Sequence, residues 1–250
     1  MASEIKPLSY LTLLKSGQYS DFVIECQGVE FKVHRAIVCP QSTMLERAAN
    51  GDFREAKEGR IKMTEDDPRI LSRVLVFLYT NDYETSSIPK FLQTRIASAE
   101  RHMADTEPDY GCPGMEELMV HLLVFKSADM LGIEPLKRLA SSRFLRGASS
   151  RCLDPNFAKP LNLVYEWTRE GDEFLRWPVT DICLEKYRDL PSCPATMHVL
   201  QMHDPVTWRV ITDTELHDRL QEEYQAEILE GLQELQVLLE PYGNDGGQGS

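Results

Sequence analysis

The chain has 250 residues, 42% of them hydrophobic, and six scattered cysteines with no CxxC pair, which fits a protein with a sizeable core in a reducing compartment and not a disulfide framework. Its net charge of −13 is uneven, residues 211–250 holding ten acids against one Arg, so no broad basic field invites nucleic-acid phosphates. The first twenty residues carry an early acid and no unbroken apolar run, and ILSRVLVFLY falls short of the roughly 20 residues of a membrane span, which predicts neither an export signal nor an anchor and a soluble intracellular protein, cytoplasmic or nuclear.

Residues 8–15, LSYLTLLK, read as a short amphipathic helix stopped at Gly17. The period then changes to two. Phe22, Ile24 and Cys26, then Val29, Phe31 and Val33, alternate with more polar neighbours, which predicts two strands joined by a tight turn at Gln27-Gly28. HRAIVCPQ is a short helical segment stopped near Pro40, and Ser42 is placed to cap a second helix, TMLERAAN, closed by Asn50-Gly51. Asn50 to Glu58 reads as a loop leading to a third strand, RIKMT, with Ile61 and Met63 on one side. Asp67-Pro68 is a strong helix start, and Leu71, Val74, Leu75 and Leu78 recur at i, i+3, i+4 and i+7.

Residues 84–114 combine a polar helical stretch with a Pro/Gly/Asp-rich end and read as an insertion. Helical patterning resumes at Met115 through two helices, MEELMVHLLVFKSADMLGI and EPLKRLASSRFL. Strands and short helices followed by helices alone make an α+β arrangement. Beyond Asp154 the chain reads as helical, with starts at Asp154-Pro155 and Thr212-x-x-Glu215 and a kink or interruption at Pro178. The longest helix is predicted over 213–240, and NDGGQGS reads as a disordered tail. The domain limits that follow are 1–16 for the N-terminal helix, 17–147 for the α+β unit with its insertion, 148–242 for a helical extension and 243–250 for the tail.

Three residue types of a hydrolase relay, Asp21, His34 and Ser42, fall within one short span. Neither a GxSxG elbow nor an oxyanion loop accompanies them, and relays are defined by geometry and not by sequence proximity. Ser42 is better explained as a helix cap. Cys193, His198 and His203 could ligate a metal only with a fourth ligand or water, and surface or core packing is the simpler reading. No GxGxxG or GxxxxGK[ST] loop is present, so no nucleotide cofactor, and no cofactor or metal of any kind, is expected. Lys137, Arg138, Arg143, Arg146 and Arg151 form the one local basic run, read as a solvated helix face.

The words GQYSDFVIECQGVEFKVHRAIVCPQSTMLERAANGDFREAKEGRIKMTEDDPRILSRVLVFLYTNDY (17–83) and LMVHLLVFKSADMLGIEPLKRLA (118–140) resemble the BTB/POZ domain. The pieces that recur in that family in this order are Asp21, Phe31 to Arg35, Ser42, Phe53 to Glu55 and Tyr79 to Tyr83. The remainder is similar to the short BTB-only chains of filamentous fungi, since no Kelch repeat or C2H2 spacing occurs in 141–250. The resemblance implies the BTB/POZ fold, a short three-stranded sheet flanked by a helical cluster, followed here by an all-helical extension. It implies that Asp21 and His34 form a buried, mutually satisfied structural pair. It implies a homodimer whose interface would include Leu8, Leu11, Leu13, Leu14 and Phe22, the leucines forming an apolar surface that one short helix cannot hide alone. The triplet Phe53, Arg54, Glu55 stands where cullin-binding members of the family carry theirs. The function implied is a non-enzymatic interaction module, adapting an unknown protein substrate to a cullin-type E3 ubiquitin ligase. The competing readings are a transcriptional or chromatin regulator acting through a protein partner and, last, a hydrolase.

Overall fold

The computed structural model describes residues 10–51, 54–99, 114–213, 218, 219 and 222. The first helix, α1 (Tyr10–Ser16), buries Leu14 and ends at Gly17. β1 (Phe22–Cys26) and β2 (Val29–Val33) pair antiparallel, Phe22 opposite Val33 and Cys26 opposite Val29. Both turn residues adopt positive φ, Gln27 at 46° and Gly28 at 84°. That is the turn whose twist matches a tight hairpin, and glycine supplies its second position without steric cost.

Two short segments follow, α2 (Arg35–Val38) and a 3-10 turn at Cys39–Gln41, before α3 (Thr43–Asn50). Ser42 Oγ accepts from Leu45 N at 3.1 Å and donates to Leu131 O at 2.6 Å, so the cap is also a tertiary tie. Where a loop is predicted between Asn50 and Glu58, residues 54–58 form a one-turn helix, α4 (Arg54–Glu58), steadied by an Arg54–Glu58 ion pair one turn apart. β3 (Arg60–Met63) then joins β1 in parallel, giving the order β2-β1-β3. Phe22, Ile24, Phe31, Val33, Ile61 and Met63 are buried. The outer side carries a charge ladder in which Arg60 bridges Glu25 (2.8 Å) and Glu30 (2.5 Å) and Lys62 reaches Glu25 (3.2 Å); these cations hold the Glu25 carboxyl below its usual range.

α5 (Pro68–Thr80) begins as its sequence dictates, with Asp67 Oδ1 accepting from Arg69 N at 2.6 Å and Pro68 in the first turn. Its apolar stripe fills the centre of the core. α6 (Lys90–Ala99) lies within the 84–114 stretch and buries Leu92 and Ile96 against α5 and β2. α7 (Glu116–Leu131) and α8 (Glu134–Arg151) form an antiparallel pair turned at Gly132, whose φ of 66° is left-handed and whose added Cβ would sit 2.1 Å from Thr43 Oγ1. α8 runs unbroken through the boundary expected at 147/148.

The rest of the described chain is helical: α9 (Ala158–Trp167), α10 (Arg176–Glu185), α11 (Pro194–His203) and α12 (Pro205–Thr212). Asp154 caps the 3-10 turn Pro155–Phe157 that leads into α9. Pro178 does not kink a helix, because α10 begins only at Arg176 and places Pro178 in its first turn, where no intrahelical partner needs its missing N–H. α9 packs on α7 and α10 on α8, and Phe144, Phe157, Leu161 and Val164 continue the same buried cluster as the sheet. The helix predicted over 213–240 and the tail over 243–250 lie outside the described residues, apart from Asp213 and the three isolated positions beyond it.

Candidate interaction surface

The structure corrects the pairing of Asp21 with His34. His34 is 7% exposed and belongs to Tyr79: its Nδ1 lies 2.7 Å from the Tyr79 hydroxyl, its backbone N–H donates to the same oxygen at 3.0 Å, and its Nε2 lies 2.6 Å from Gln18 O. One tautomer satisfies all three contacts, with the proton on Nε2 donated to Gln18 and the Tyr79 O–H donated to Nδ1. Burial pushes the Tyr79 phenol up to about 12, so this proton stays in place through the physiological range. Asp21 is exposed and instead accepts from Arg35 N at 2.8 Å, anchoring the start of α2 to the start of β1. Two residues that are neighbours in the sequence motif thus do separate work.

These bonds also decide the relay. The His34 ring nitrogens are taken by Tyr79 and Gln18, while Ser42 is bonded to Leu45 and Leu131. Asp, His and Ser are therefore not assembled for proton transfer. The C-terminal Cys/His set disperses likewise: Cys193 Sγ donates to Leu153 O at 2.8 Å, His203 Nε2 lies 2.9 Å from Asn162 Oδ1 with its ring stacked on Tyr165, and His198 is exposed. Among the described residues no cluster of three His, Cys, Asp or Glu could hold a metal ion.

Of the residues predicted for a dimer interface, Leu14 (0% exposed) and Phe22 (1%) are consumed by the chain's own core and cannot meet a partner. Leu11 and Leu13 are half-buried, and Leu8 lies outside the described residues. The sequence reading missed two exposed aromatics, Tyr10 at the first position of α1 (63% exposed) and Tyr19 just after its end (86%). Aromatics in this state are a signal for contact surfaces, and their place beside a predicted apolar helix could have drawn attention. A cavity of about 430 Å³ adjoins this region, with Leu11, Val76, Ile88 and Pro89 in its walls.

Of the predicted cullin triplet, Phe53 lies outside the described residues. Arg54 opens α4 with its side chain 84% exposed, and Glu55 is half-buried in the same turn. The basic run on α8 divides: Lys137 pairs with Asp129 (2.6 Å) and Arg143 with Asp82 (2.6 Å), whereas Arg138, paired with Glu134 one turn away (3.2 Å), and Arg146 stay on the solvated face.

A three-stranded mixed sheet closed by capped short helices and the α7–α8 pair is the arrangement implied by the motif order. The BTB/POZ domain family matches residues 10–101. This chain carries a BTB/POZ domain. Kelch-like protein 40 of Xenopus laevis is 28% identical over 72 residues, which make up 29% of this chain and 12% of that protein. The aligned part is thus a small fraction of the relative's length. The BTB/POZ domain supports a protein–protein interaction role, and the family match extends through α6 (Lys90–Ala99). Among the described residues no helix is long and apolar enough to cross a membrane.

Proposed function

We propose that this BTB/POZ chain is a non-enzymatic scaffold that homodimerises through the α1 side of its domain and adapts a protein substrate to a cullin-type ubiquitin ligase. The observation that carries the reading is the domain itself, matched over residues 10–101, in a chain whose relay-like residues are all bonded into the fold. Tyr10, Tyr19, Leu11 and Leu13 support the dimer face, because they offer aromatic and aliphatic surface on and beside α1. Light scattering on the full chain at micromolar concentration is expected to give twice the chain mass. A monomer mass that deletion of residues 1–16 leaves unchanged rejects the dimer.

The adaptor half rests on the triplet's place in the sequence, one short helix ahead of β3, and on the exposed Arg54. Phe53→Ala is expected to leave the melting temperature nearly unchanged and to weaken binding to the cell's cullin by about tenfold, as loss of an interface anchor does. Direct titration of the wild-type chain with that cullin is the check. No binding there leaves a dimeric scaffold without the ligase.

A further inference from the structure

A second cavity, of about 490 Å³, lies between α8 and the segment that follows α5. Arg143, Arg146, Ser150 and Arg151 contribute to it from α8, at spacings that stack on one helix face. Asp82 to Ser86 form the facing wall, and His121 of α7 reaches it from beneath.

The three arginines are not equivalent. Arg143 is committed, to the Asp82 carboxylate at 2.6 Å, to the Tyr83 carbonyl at 2.5 Å and to the face of the Tyr83 ring at 4.7 Å. Arg151 reaches Glu117 only at 3.7 Å, with both side chains well exposed, a contact that is released at little cost. Arg146 is exposed and makes no hydrogen bond or ion pair among the described residues.

His121 adds an independent observation. It is 4% exposed, and its Nδ1 lies 2.7 Å from the Tyr83 hydroxyl. That hydroxyl is buried and Nδ1 is its acceptor, which leaves the imidazole proton on Nε2. Nε2 meets only Glu117 Oε1 at 4.0 Å, beyond hydrogen-bond reach. This N–H thus borders the cavity with no protein acceptor in hydrogen-bond reach among the described residues, and it is available to a ligand there. Burial, then the positive charges of Arg143, Arg146 and Arg73, hold the His121 ring down at about 4. Asp82, Glu84 and Glu117 border the same cavity, so its cationic character is local to the α8 side, where Arg146 and Arg151 stand.

We propose that this cavity is a receptor for a phosphate monoester, the phosphoryl group of a phosphoserine-containing peptide, held by Arg146, Arg151 and the Nε2–H of His121. Two guanidinium forks and an imidazole N–H suit the three terminal oxygens and near-dianionic charge of a phosphoryl group. A carboxylate suits them less well. Three carboxylates already border the cavity, and the nearest one to the His121 donor stops short of bonding it.

The test uses the full chain with labelled histidine, following the His121 ring by NMR at fixed ionic strength. Three ligands are titrated: inorganic phosphate, a capped phosphoserine peptide and the same peptide without its phosphate. The expected result is a saturable shift of the His121 signals with the phosphopeptide, a raised His121 pKa in the complex, and no response to the unphosphorylated peptide. Arg146→Ala, at an exposed position that the fold does not use, is expected to weaken binding by about tenfold, with partial recovery in Arg146→Lys. Inorganic phosphate that binds as tightly as the phosphopeptide overturns the peptide and leaves a free-phosphate site. Absence of saturation with both phosphate ligands, or an unchanged affinity in Arg146→Ala, overturns the receptor.

Discussion

Arg73→Ala is expected to lower the unfolding free energy by about 3–5 kcal/mol, the range for emptying a large buried site, and the melting temperature by about 10 °C. Arg73 is 1% exposed and is among the largest fully buried side chains. Its guanidinium donates to three backbone carbonyls, those of Arg69 (3.2 Å), Glu84 (3.0 Å) and Thr85 (2.7 Å). Among the described residues it has no carboxylate partner. The alanine variant therefore removes both volume and the donors that hold residues 84–85 against α5. Arg73→Met separates the two contributions, because it keeps most of the volume and relieves the buried charge while leaving the carbonyls without their donor. A loss of about 1–3 kcal/mol is expected there. Thermal and denaturant unfolding measure both, and an alanine variant that melts with the wild type would show that Arg73 does not anchor this segment.

The second large effect is expected at His34. His34→Ala removes the acceptor of the buried Tyr79 hydroxyl, the donor to Gln18 O and a ring from the core, at a combined cost of about 2–4 kcal/mol. Tyr79→Phe removes the partner alone. The two are expected to be non-additive, with a coupling of about 1 kcal/mol or more, since each deletes one half of a shared bond. Asp21→Ala is expected to cost about 1 kcal/mol as the loss of a bond to the first N–H of α2, and to add to His34→Ala within about 0.5 kcal/mol. Strong coupling of Asp21 to His34, with none between His34 and Tyr79, would contradict the geometry and restore the pair that the motif suggests.

That contrast shows what the sequence conveys and what it withholds. The hairpin at Gln27-Gly28, the Ser42 cap, the Asp67-Pro68 helix start and the apolar stripe of α5 are local patterns, each set by residues within a turn or two of one another, and they are legible. The partner of His34 stands 45 positions away, and nothing in the run FKVHR identifies it. Asp21 is the acid that the family resemblance pairs with His34, and its actual bond to the Arg35 backbone leaves no mark in a string of side chains. Arg73 reads as a surface cation on an amphipathic helix, and its burial depends on where the segment after α5 returns. The interface residues divide for the same reason. Periodicity marks Leu14 and Phe22 as apolar but does not say whether their cover is the chain's own core or a second chain, and here it is the core. The α8 cations likewise look alike in sequence, and only the fold separates Arg143, bonded to Asp82, from Arg146.

The mixed pairing of the sheet bears on how the chain reaches this structure. β1 and β2 are consecutive and can close as a hairpin on a timescale of about 1–10 μs. β3 lies on the other side of β1 and in parallel, Val23 beside Arg60 and Cys26 beside Met63, so it can dock only after α2, α3 and α4 have carried the chain across. The central strand therefore has one partner that forms locally and one that waits for loop closure over the whole intervening segment. During synthesis the far edge of β1 stays without its partner until Met63 has left the ribosome. Until then the half-built sheet presents an open strand edge, and α2 to α4 act as the spacer whose correct formation determines when that edge is covered.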